Sequence, residues 1–239
     1  MDSQFERTAM LIGEDGITVL QQAAVAVFGV GGVGGHCIDA LARAGVGALT
    51  IVDSDTVSCS NLNRQIIALH STLGQRKVDV MAARLKDINP AIRVDAQPVF
   101  VDANTVEQFD FSAFDYVVDA VDTVTAKLLL IERCRDADVP ILSCMGTGNK
   151  LMTSPFRIAD IRDTSMCPLA RVMRLECRKR GIKRLKVLYS PEVPLSPRTL
   201  SGEVPAPGRR QVPGSISFAP ASAGLMIAGE VIRSLIEQK

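Results

Sequence analysis

The sequence has almost no net charge. Its 239 residues include 27 basic and 26 acidic side chains, which gives a formal charge of +1 at pH 7. A chain that coats nucleic acid or an anionic membrane by bulk charge carries a large positive excess, so this balance argues against that class. With 47% hydrophobic and 22% charged residues, the composition excludes a disordered or collagen-like chain. The length suits one large α/β domain or two small ones, with a sizeable core.

The sequence also lacks paired cysteines, clustered histidines and long unbroken apolar runs. No two of the six cysteines form a C-x-x-C pair, and the separation of the two histidines, His36 and His70, gives no metal signature. The opening Met-Asp-Ser-Gln-Phe-Glu-Arg is too polar and acidic for a signal peptide. The longest apolar stretch, residues 218–236, contains two charged residues and a proline, which argues against a membrane span. We therefore expect a reduced, cytoplasmic protein.

Strand-length apolar runs alternate with segments of helical period, a pattern typical of a mostly parallel sheet covered by helices. The pattern predicts strands over residues 23–28, 48–53, 92–100, 116–121 and 140–145, and helices over 33–44, 75–88 and 126–136. After Gly146 it predicts two further strands (156–161 and 185–189) separated by a basic helix (169–179), then a proline-rich loop (191–213) and an apolar helix (221–236). The expected fold is α/β and Rossmann-like, with a C-terminal extension of antiparallel strands, the basic helix and the final apolar helix.

A glycine-rich turn follows the first predicted strand and opens a helix. In its sequence, G-V-G-G-V-G, residues Gly29, Gly31, Gly32 and Gly34 allow backbone N–H groups to approach phosphate at the positive end of a helix dipole. Asp53 ends the second strand, where a carboxylate accepts hydrogen bonds from ribose hydroxyls. The order of strand, glycines, helix, strand and acid predicts nucleotide binding. The alternative is a glycine turn kept for helix–strand packing alone.

The residues after Asp53 favour ATP over a dinucleotide. Arg64, Lys77 and Asn61 supply two cations and an amide that are able to converge on a triphosphate, where they would stabilise charge on the departing pyrophosphate. Asp122, at the end of the fourth strand, is suitably placed to hold Mg²⁺ between phosphates. A hydride-transfer enzyme has no need of this combination, so a dehydrogenase is a distant alternative.

Three motifs make the chain resemble a known superfamily. The motifs G-x-G-G-V-G, D-x-D-T-V-x-x-S-N-L-x-R-Q and G-x-x-K together resemble the ThiF/MoeB/ubiquitin-activating superfamily of carboxylate-adenylating enzymes, over nearly the whole chain. The resemblance implies that Asp53 contacts ribose and that Asp122 holds the metal. It also implies that the phosphates are bound by Asn61, Arg64 and Lys77.

The same resemblance matches Arg7 to an arginine that these enzymes supply to the ATP of the neighbouring subunit. It therefore implies a homodimer with shared active sites, although from the residues alone a solvated helix position is the favoured interpretation of Arg7. The expected organisation is one adenylating domain over 1–239. Its nucleotide-binding part spans 1–146, and its substrate and dimer part spans 147–239 and includes the irregular loop 191–213.

Departures from the superfamily pattern point to one branch. Relatives of the ThiF and MoeB type usually carry two C-x-x-C pairs that bind structural zinc, and this chain has none, so no structural zinc is expected. The segments T-S-M-C-P-L-A-R-V-M-R, K-V-L-Y-S and P-G-S-I-S-F look like those of the tRNA threonylcarbamoyladenosine dehydratases. This resemblance implies that ATP adenylates the carboxylate of the threonylcarbamoyl group in tRNA, which then cyclises with release of AMP.

Two other functions stay open at this point. The nearest is adenylation of the C-terminal glycine of a ubiquitin-like sulfur-carrier protein, and a sulfur-transfer protein is a further partner that the resemblance allows. The other is a non-enzymatic nucleotide-binding module, which the full set of phosphate-binding residues disfavours.

The near-neutral balance conceals a basic stretch. Residues 171–186 hold eight Lys or Arg and one Glu, about +7, so the rest of the chain sums to about −6. A tRNA substrate gives these cations a use, because phosphate contacts dominate affinity for nucleic acids. The candidates are Arg171, Arg174, Arg178, Lys179, Arg180, Lys183, Arg184 and Lys186. The plain alternative is a solvated charged helix. Cys167, just before it, is interpreted as a small apolar residue rather than a reactive thiol.

Overall fold

One seven-stranded sheet organises the computed structural model, which describes residues 4–198 and 213–237. The strands are β1 (Ala24–Phe28), β2 (Ala48–Val52), β3 (Arg93–Gln97), β4 (Tyr116–Asp119), β5 (Ile141–Cys144), β6 (Arg157–Asp160) and β7 (Lys186–Tyr189). The helices are α1 (Glu6–Gln22), α2 (Gly34–Ala44), α3 (Lys77–Ile88), α4 (Val124–Asp136), α5 (Pro168–Lys179) and α6 (Phe218–Glu237).

The strand order is β3-β2-β1-β4-β5-β7-β6, and every neighbouring pair is parallel except β6–β7. The predicted Rossmann-like fold is therefore confirmed. The two strands of the C-terminal extension pair antiparallel with each other, but β7 also lies parallel to β5, so the extension continues the main sheet. The chain moves outward from β1 to β3 and then returns across β1 to β4. Ligands of such sheets bind at this reversal, outside the carboxyl ends of the strands.

The central strand β1 shows why the sheet is buried on both faces. Its sequence is A-V-A-V-F, and four of its five residues are buried. Val25 and Val27 belong to the apolar core on the side of α2 and α6, whereas Ala26 and Phe28 belong to the core on the side of α4. A strand covered by helices on both faces needs such a continuous apolar run rather than an alternating one.

Several element boundaries differ from those that the sequence predicts, each for a local reason. β3 ends at Gln97 instead of residue 100, because Pro98 cannot donate to the ladder. α6 begins at Phe218 rather than residue 221. Pro220 fits the first turn of this helix, because an N–H group at that position would have no partner within the helix. A backbone break at Gly13 (φ 74°) interrupts α1, which gives no clear helical pattern in the sequence. Of the predicted loop 191–213, residues 199–212 lie outside the described part of the chain.

The last helix is part of the core. Among the described residues, α6 is the one helix long and apolar enough to cross a membrane by length and composition. In the structure it packs directly on α2. The two helices are so close that a Cβ atom at Gly224 would lie only 2.3 Å from the carbonyl oxygen of Val33. Ala223, Ile227 and Val231 are buried. The apolar character of α6 is therefore explained by helix packing.

Replacing Gly224 by alanine is expected to lower the free energy of unfolding by about 2 kcal/mol, because the new methyl group forces α2 and α6 apart. The control is Gly229→Ala on the same helix, where the nearest atom to the new methyl is the mobile end of Arg233, at 3.5 Å. This control is expected to gain about 0.5 kcal/mol, since alanine is the better helix former. Urea denaturation of both variants measures the difference, and equal losses would contradict the close packing.

Candidate active site

A cavity of about 340 Å³ opens at the carboxyl ends of β1, β2 and β4, where the strand order reverses. It brings together eight of the residues predicted from the sequence: Gly29, Gly31, Gly32, Asp53, Asn61, Arg64, Lys77 and Asp122. Gly34 and Arg7 do not line it, and neither do the basic residues of α5. The cavity therefore collects the predicted nucleotide-binding residues in one place and leaves the predicted tRNA-binding residues elsewhere.

The glycines of the β1–α2 turn have different physical roles. Gly29 has a φ of 99°, and a Cβ there would lie 2.6 Å from the carbonyl oxygen of Ala120. A Cβ at Gly34 would lie 1.8 Å from the carbonyl oxygen of Gly29, so both positions need glycine for packing alone. By contrast, a Cβ at Gly31 would meet nothing closer than 4.0 Å, and Gly31 faces the cavity. The bare backbone at Gly31 is thus free to approach a ligand.

Three helices begin at this cavity. Its lining includes Val33 at the start of α2, Thr123 at the start of α4 and Pro220 in the first turn of α6. The unpaired N–H groups and the macrodipole give each helix start a partial positive charge, which favours a bound phosphate. The sequence predicts a helix start at the phosphates for α2 only. The starts of α4 and α6 reach the cavity through tertiary packing.

Asp53 and Lys77 form a buried polar group at the end of β2. The carboxylate of Asp53 accepts hydrogen bonds from the backbone N–H groups of Val30 (2.7 Å) and Asp55 (2.9 Å). Lys77, only 5% exposed, places its Nζ 2.7 Å from Asp55 and 3.7 Å from Asp53. Burial raises the pKa of Asp53 above its usual range in spite of these partners. The site fixes this carboxylate beside the glycine turn.

The segment after β2 supplies an amide and a guanidinium. Asn61 is buried, and its Oδ1 accepts a hydrogen bond from the N–H of Ser58, which fixes the 3-10 helix Cys59–Asn61. The Nη1 of Arg64 donates to the carbonyl oxygen of Ser60 (2.8 Å) and to Oδ1 of Asn63 (2.9 Å). Burial lowers the pKa of Arg64, because the charged form loses hydration. An anion in the cavity would compensate that loss.

Gln65 is a candidate that the sequence prediction of the site omits. It lines the cavity and is buried, yet its Oε1 has no hydrogen-bond partner among the described residues. A buried amide oxygen without a donor costs about 1–3 kcal/mol. Nε2 of the same amide lies 4.0 Å from a Cβ built on Gly31, so the amide borders the glycine turn. In the sequence, Gln65 is the last residue of the D-x-D-T-V-x-x-S-N-L-x-R-Q motif.

Asp122 lies in the turn between β4 and α4, exposed and facing the cavity. A fully buried ion pair closes that turn: Nζ of Lys127, on α4, is 3.0 Å from Oδ2 of Asp119, at the end of β4. Lys127 also donates to the carbonyl oxygen of Cys144 (2.7 Å), and the hydroxyl of Ser143 donates to Asp119 (2.5 Å). The network ties the ends of β4 and β5 to α4 and so fixes the turn that carries Asp122.

The remaining predicted residues lie outside the cavity. Arg7 is exposed on α1, and the nearby Phe5 is buried against Gly45 at the end of α2. Cys167, at the residue before α5, is 3% exposed and so closed to solvent. Over 4–198 and 213–237, no group of three or more His, Cys, Asp or Glu side chains is arranged to hold a metal ion by itself.

The predicted tRNA-binding residues divide into two sets. Four are held by other groups: Arg174 donates to Thr164, Lys179 pairs with Glu176, Arg180 pairs with Glu176 and Glu132, and Lys186 pairs with Glu230. The other four, Arg171, Arg178, Lys183 and Arg184, are exposed and have no side-chain partner in the described chain. Only the second set is available to a ligand without breaking an existing pair.

Comparisons with known proteins agree with this geometry. The ThiF family model matches residues 5–239. The chain is 42% identical to the tRNA threonylcarbamoyladenosine dehydratase of Bacillus subtilis over 98% of its own length and 95% of that relative. It also resembles crystal structures of the Escherichia coli tRNA N6-threonylcarbamoyladenosine dehydratase in complex with ATP and with AMP. These are 30% identical, cover 98% of this chain and 94% of theirs, and have TM-scores of 0.88 and 0.89.

Lys127→Met is expected to lower the free energy of unfolding by about 3–5 kcal/mol, because it leaves the buried carboxylate of Asp119 unpaired. The double variant Lys127→Met/Asp119→Leu is expected to recover most of this loss, since no buried charge remains. A matched control is Arg133→Met on the same helix, whose exposed pair with Glu107 is worth about 1 kcal/mol or less. Chemical denaturation tests all three, and a double variant no more stable than Lys127→Met would contradict the role of the pair.

Proposed function

The chain belongs to the ThiF family, and on that premise we propose that it is an ATP-dependent dehydratase that acts on threonylcarbamoyladenosine in tRNA. The observation that carries the proposal is the single cavity at the strand reversal, where a glycine turn, a fixed carboxylate and two cations meet. The names of its relatives support the choice of substrate. Such a substrate implies a protein of the cytoplasm.

The proposed reaction converts a poor electrophile into a reactive one. A carboxylate oxygen of the threonylcarbamoyl group attacks the α-phosphorus of ATP, the bond to the bridging oxygen breaks, and pyrophosphate leaves. A nitrogen of the same substituent then attacks the activated carbonyl carbon, loses its proton and closes a five-membered ring. AMP departs with the former carboxylate oxygen, so the nucleoside loses one water in total. Because the nucleophile belongs to the same substituent, proximity supplies much of the second step and no enzyme thiol is needed.

Different residues of the cavity contact the ribose and the phosphates of ATP. Asp53 accepts hydrogen bonds from the ribose hydroxyls, beside the bare backbone of Gly31. Asn61, Arg64 and Lys77 contact the phosphates, and the two cations stabilise the charge that develops as pyrophosphate leaves. A hydrogen bond to a neighbouring group orients each of these side chains, which supports the proposed roles.

Mg²⁺ is the metal that fits the cavity. It is usually bound by one or two carboxylates together with substrate phosphates, so a cluster of protein ligands is not required. Asp122 offers an exposed carboxylate in the lining, at the turn between β4 and α4. Bound there, Mg²⁺ would neutralise phosphate charge.

The charge of the cavity also supports a homodimer with shared active sites. Among the described residues, the charged side chains of its lining are two cations, Arg64 and Lys77, and three carboxylates, so these residues alone do not balance the charge of a triphosphate. Arg7 of a second copy would supply the missing cation. Arg7 lies next to Met10 and Leu11, which are 76% and 87% exposed and would be buried by such a contact.

The competing function is adenylation of the C-terminal glycine of a sulfur-carrier protein. Both reactions use the same ATP site, so the cavity does not distinguish them. They differ in the carboxylate that accepts AMP, which belongs to tRNA in one reaction and to a carrier protein in the other. The decisive experiment incubates the protein with ATP, Mg²⁺ and tRNA that carries threonylcarbamoyladenosine. The tRNA is then digested to nucleosides, and their masses are measured by mass spectrometry. We expect loss of one water. No mass change, combined with carrier-protein-dependent pyrophosphate exchange, would favour the competing function.

Asp122→Ala and Lys77→Ala are expected to lower the rate of AMP formation by at least about 100-fold, because Lys77 stabilises phosphate charge directly and Asp122 would hold the Mg²⁺ that does so. The matched control is Arg76→Ala. This neighbouring cation pairs with Asp79 on the exposed side of α3 and does not line the cavity. AMP is measured by chromatography, and near-normal turnover of either cavity variant, with Tm unchanged, would remove it from the proposed site.

Complementation between inactive variants tests the shared site. Arg7→Ala and Lys77→Ala are each expected to be inactive, since every site of either homodimer lacks one cation. After subunit exchange, a mixed dimer has one intact site and one doubly defective site, so an equal mixture is expected to regain about a quarter of the wild-type activity. A mixture as inactive as its components, although exchange has occurred, would place Arg7 outside the partner's site.

A further inference from the structure

A second cavity lies at the amino ends of the strands, opposite the carboxyl ends where the proposed ATP site lies. Its volume is about 450 Å³, which falls within the range of roughly 300–1,000 Å³ that small-molecule sites occupy. It opens at the amino ends of β5 and β7, between the last turn of α4 and the loop that follows α5. Nothing in the proposed reaction uses this space.

The lining of this second cavity combines an apolar floor with a cationic rim. The floor includes Ile131, Ile141 and Ile182, and the rim is formed by Arg135, Lys183, Arg184 and Lys186. No Asp or Glu is part of the described lining. An apolar surface bordered by cations matches a planar base that carries a phosphate, and arginine planes stack on bases as well as pairing with phosphate.

Two of the four rim cations have no side-chain partner in the part of the chain that the structure describes. Arg135 pairs with the adjacent Asp136, and Lys186 pairs with Glu230 on α6. Lys183 and Arg184 have neither a hydrogen bond nor an ion pair from their side chains within the described residues. Two exposed, unpaired and adjacent cations beside an apolar floor favour a ligand with negative charge.

A row of cations leads from one cavity towards the other. α5 begins beside the proposed ATP site. Its Leu169 lies 3.9 Å from a Cβ built on Gly146, and Thr147, which follows Gly146 in the chain, lines the ATP cavity. Its 12 residues span roughly 18 Å and end at the second cavity. Arg171 and Arg178 lie along the way, exposed and without partners among the described side chains. At about 3.4 Å per stacked nucleotide, this length corresponds to on the order of five nucleotides.

We propose that the second cavity binds an unpaired nucleotide of the tRNA substrate, several positions away from the adenosine that reacts in the first cavity. This inference rests on the proposed function, in which the threonylcarbamoyl-bearing adenosine enters the ATP site; the family resemblance implies that this adenosine lies next to the anticodon. Loop nucleotides near such a base are unpaired, and proteins read them by taking single bases into apolar pockets. The second cavity would thus fix the register of the RNA, while Arg171 and Arg178 contact the phosphates between.

The test measures binding of a fluorescein-labelled tRNA anticodon stem-loop over a series of salt concentrations. Arg184→Ala is expected to weaken binding about tenfold and to reduce the slope of log affinity against log salt by about 0.7, the value for one lost contact to single-stranded phosphate. Arg93→Ala is the matched control, because this exposed arginine also lies at the amino edge of the sheet, on β3, and has no side-chain partner in the described chain. It is expected to change neither quantity.

A second variant separates the apolar floor from the charge. Val139, half-buried in the lining, is replaced by tryptophan so that the ring fills the cavity. We expect weaker stem-loop binding with an unchanged salt slope and an unchanged Tm. If Arg184→Ala lowers only the Tm, the cation merely balances the carboxyl ends of the two helices, and the inference is wrong. If Val139→Trp removes a binding event for free AMP but leaves RNA affinity unchanged, the ligand is a free nucleotide and the inference is also wrong.

The dehydration assay keeps this inference distinct from the proposed function. Arg184→Ala is expected to raise the KM for tRNA about tenfold and to leave kcat unchanged, because the reacting groups are untouched. Absence of dehydration by the wild-type protein would overturn the proposed function whatever the stem-loop binds. Normal wild-type dehydration with unaltered KM in both cavity variants would overturn the second site alone.

Discussion

The constraint on which the molecule depends is the close approach of bare backbone around the β1–α2 turn. A side chain at Gly34 would meet the carbonyl of Gly29, and one at Gly29 would meet Ala120 at the end of β4. A side chain at Gly224 would in turn push α6 away from α2. Because these three positions carry no side chain, the starts of α2, α4 and α6 converge on one cavity, and their positive ends face the same space. The nucleotide site is therefore a consequence of backbone packing before any charged side chain is considered.

Burial then determines which charged side chains are accessible to a ligand. The pair Asp119–Lys127 is fully buried and satisfied, so it fixes the β4–α4 turn without offering charge to a ligand. Asp122, three residues further along the chain, is left exposed to the cavity. At the amino edge of the sheet, Lys183 and Arg184 have no side-chain partner among the described residues, while Arg180 and Lys186 in the same basic stretch are held by Glu132 and Glu230. The overall charge of +1 thus results from a basic stretch over residues 171–186 and an acidic remainder of the chain.

The sequence predicts the parts of the site that depend on local order. A strand, a glycine turn, a helix and an acid at the end of the next strand place Asp53 beside the turn in any parallel sheet of this order. The grouping of Asn61, Arg64 and Lys77 follows from motifs of the same short segment. Other features depend on contacts between distant segments, and no local pattern contains them. The unpaired oxygen of Gln65 and the arrival of α6 at the cavity are of this kind. The division of the basic stretch is partly of this kind, because Glu176 lies within the stretch, whereas Glu132 and Glu230 come from α4 and α6.

The central claim is that this cavity transfers AMP to a carboxylate of the tRNA, and the fate of one oxygen atom tests it most directly. The substrate is tRNA whose threonylcarbamoyl carboxylate is labelled with oxygen-18, and the measurement is the mass of the AMP released in a single turnover. The account predicts one labelled oxygen in AMP and none in pyrophosphate, since the former carboxylate oxygen leaves on the α-phosphorus. Dehydrated tRNA accompanied by unlabelled AMP, or by label in pyrophosphate, would contradict it.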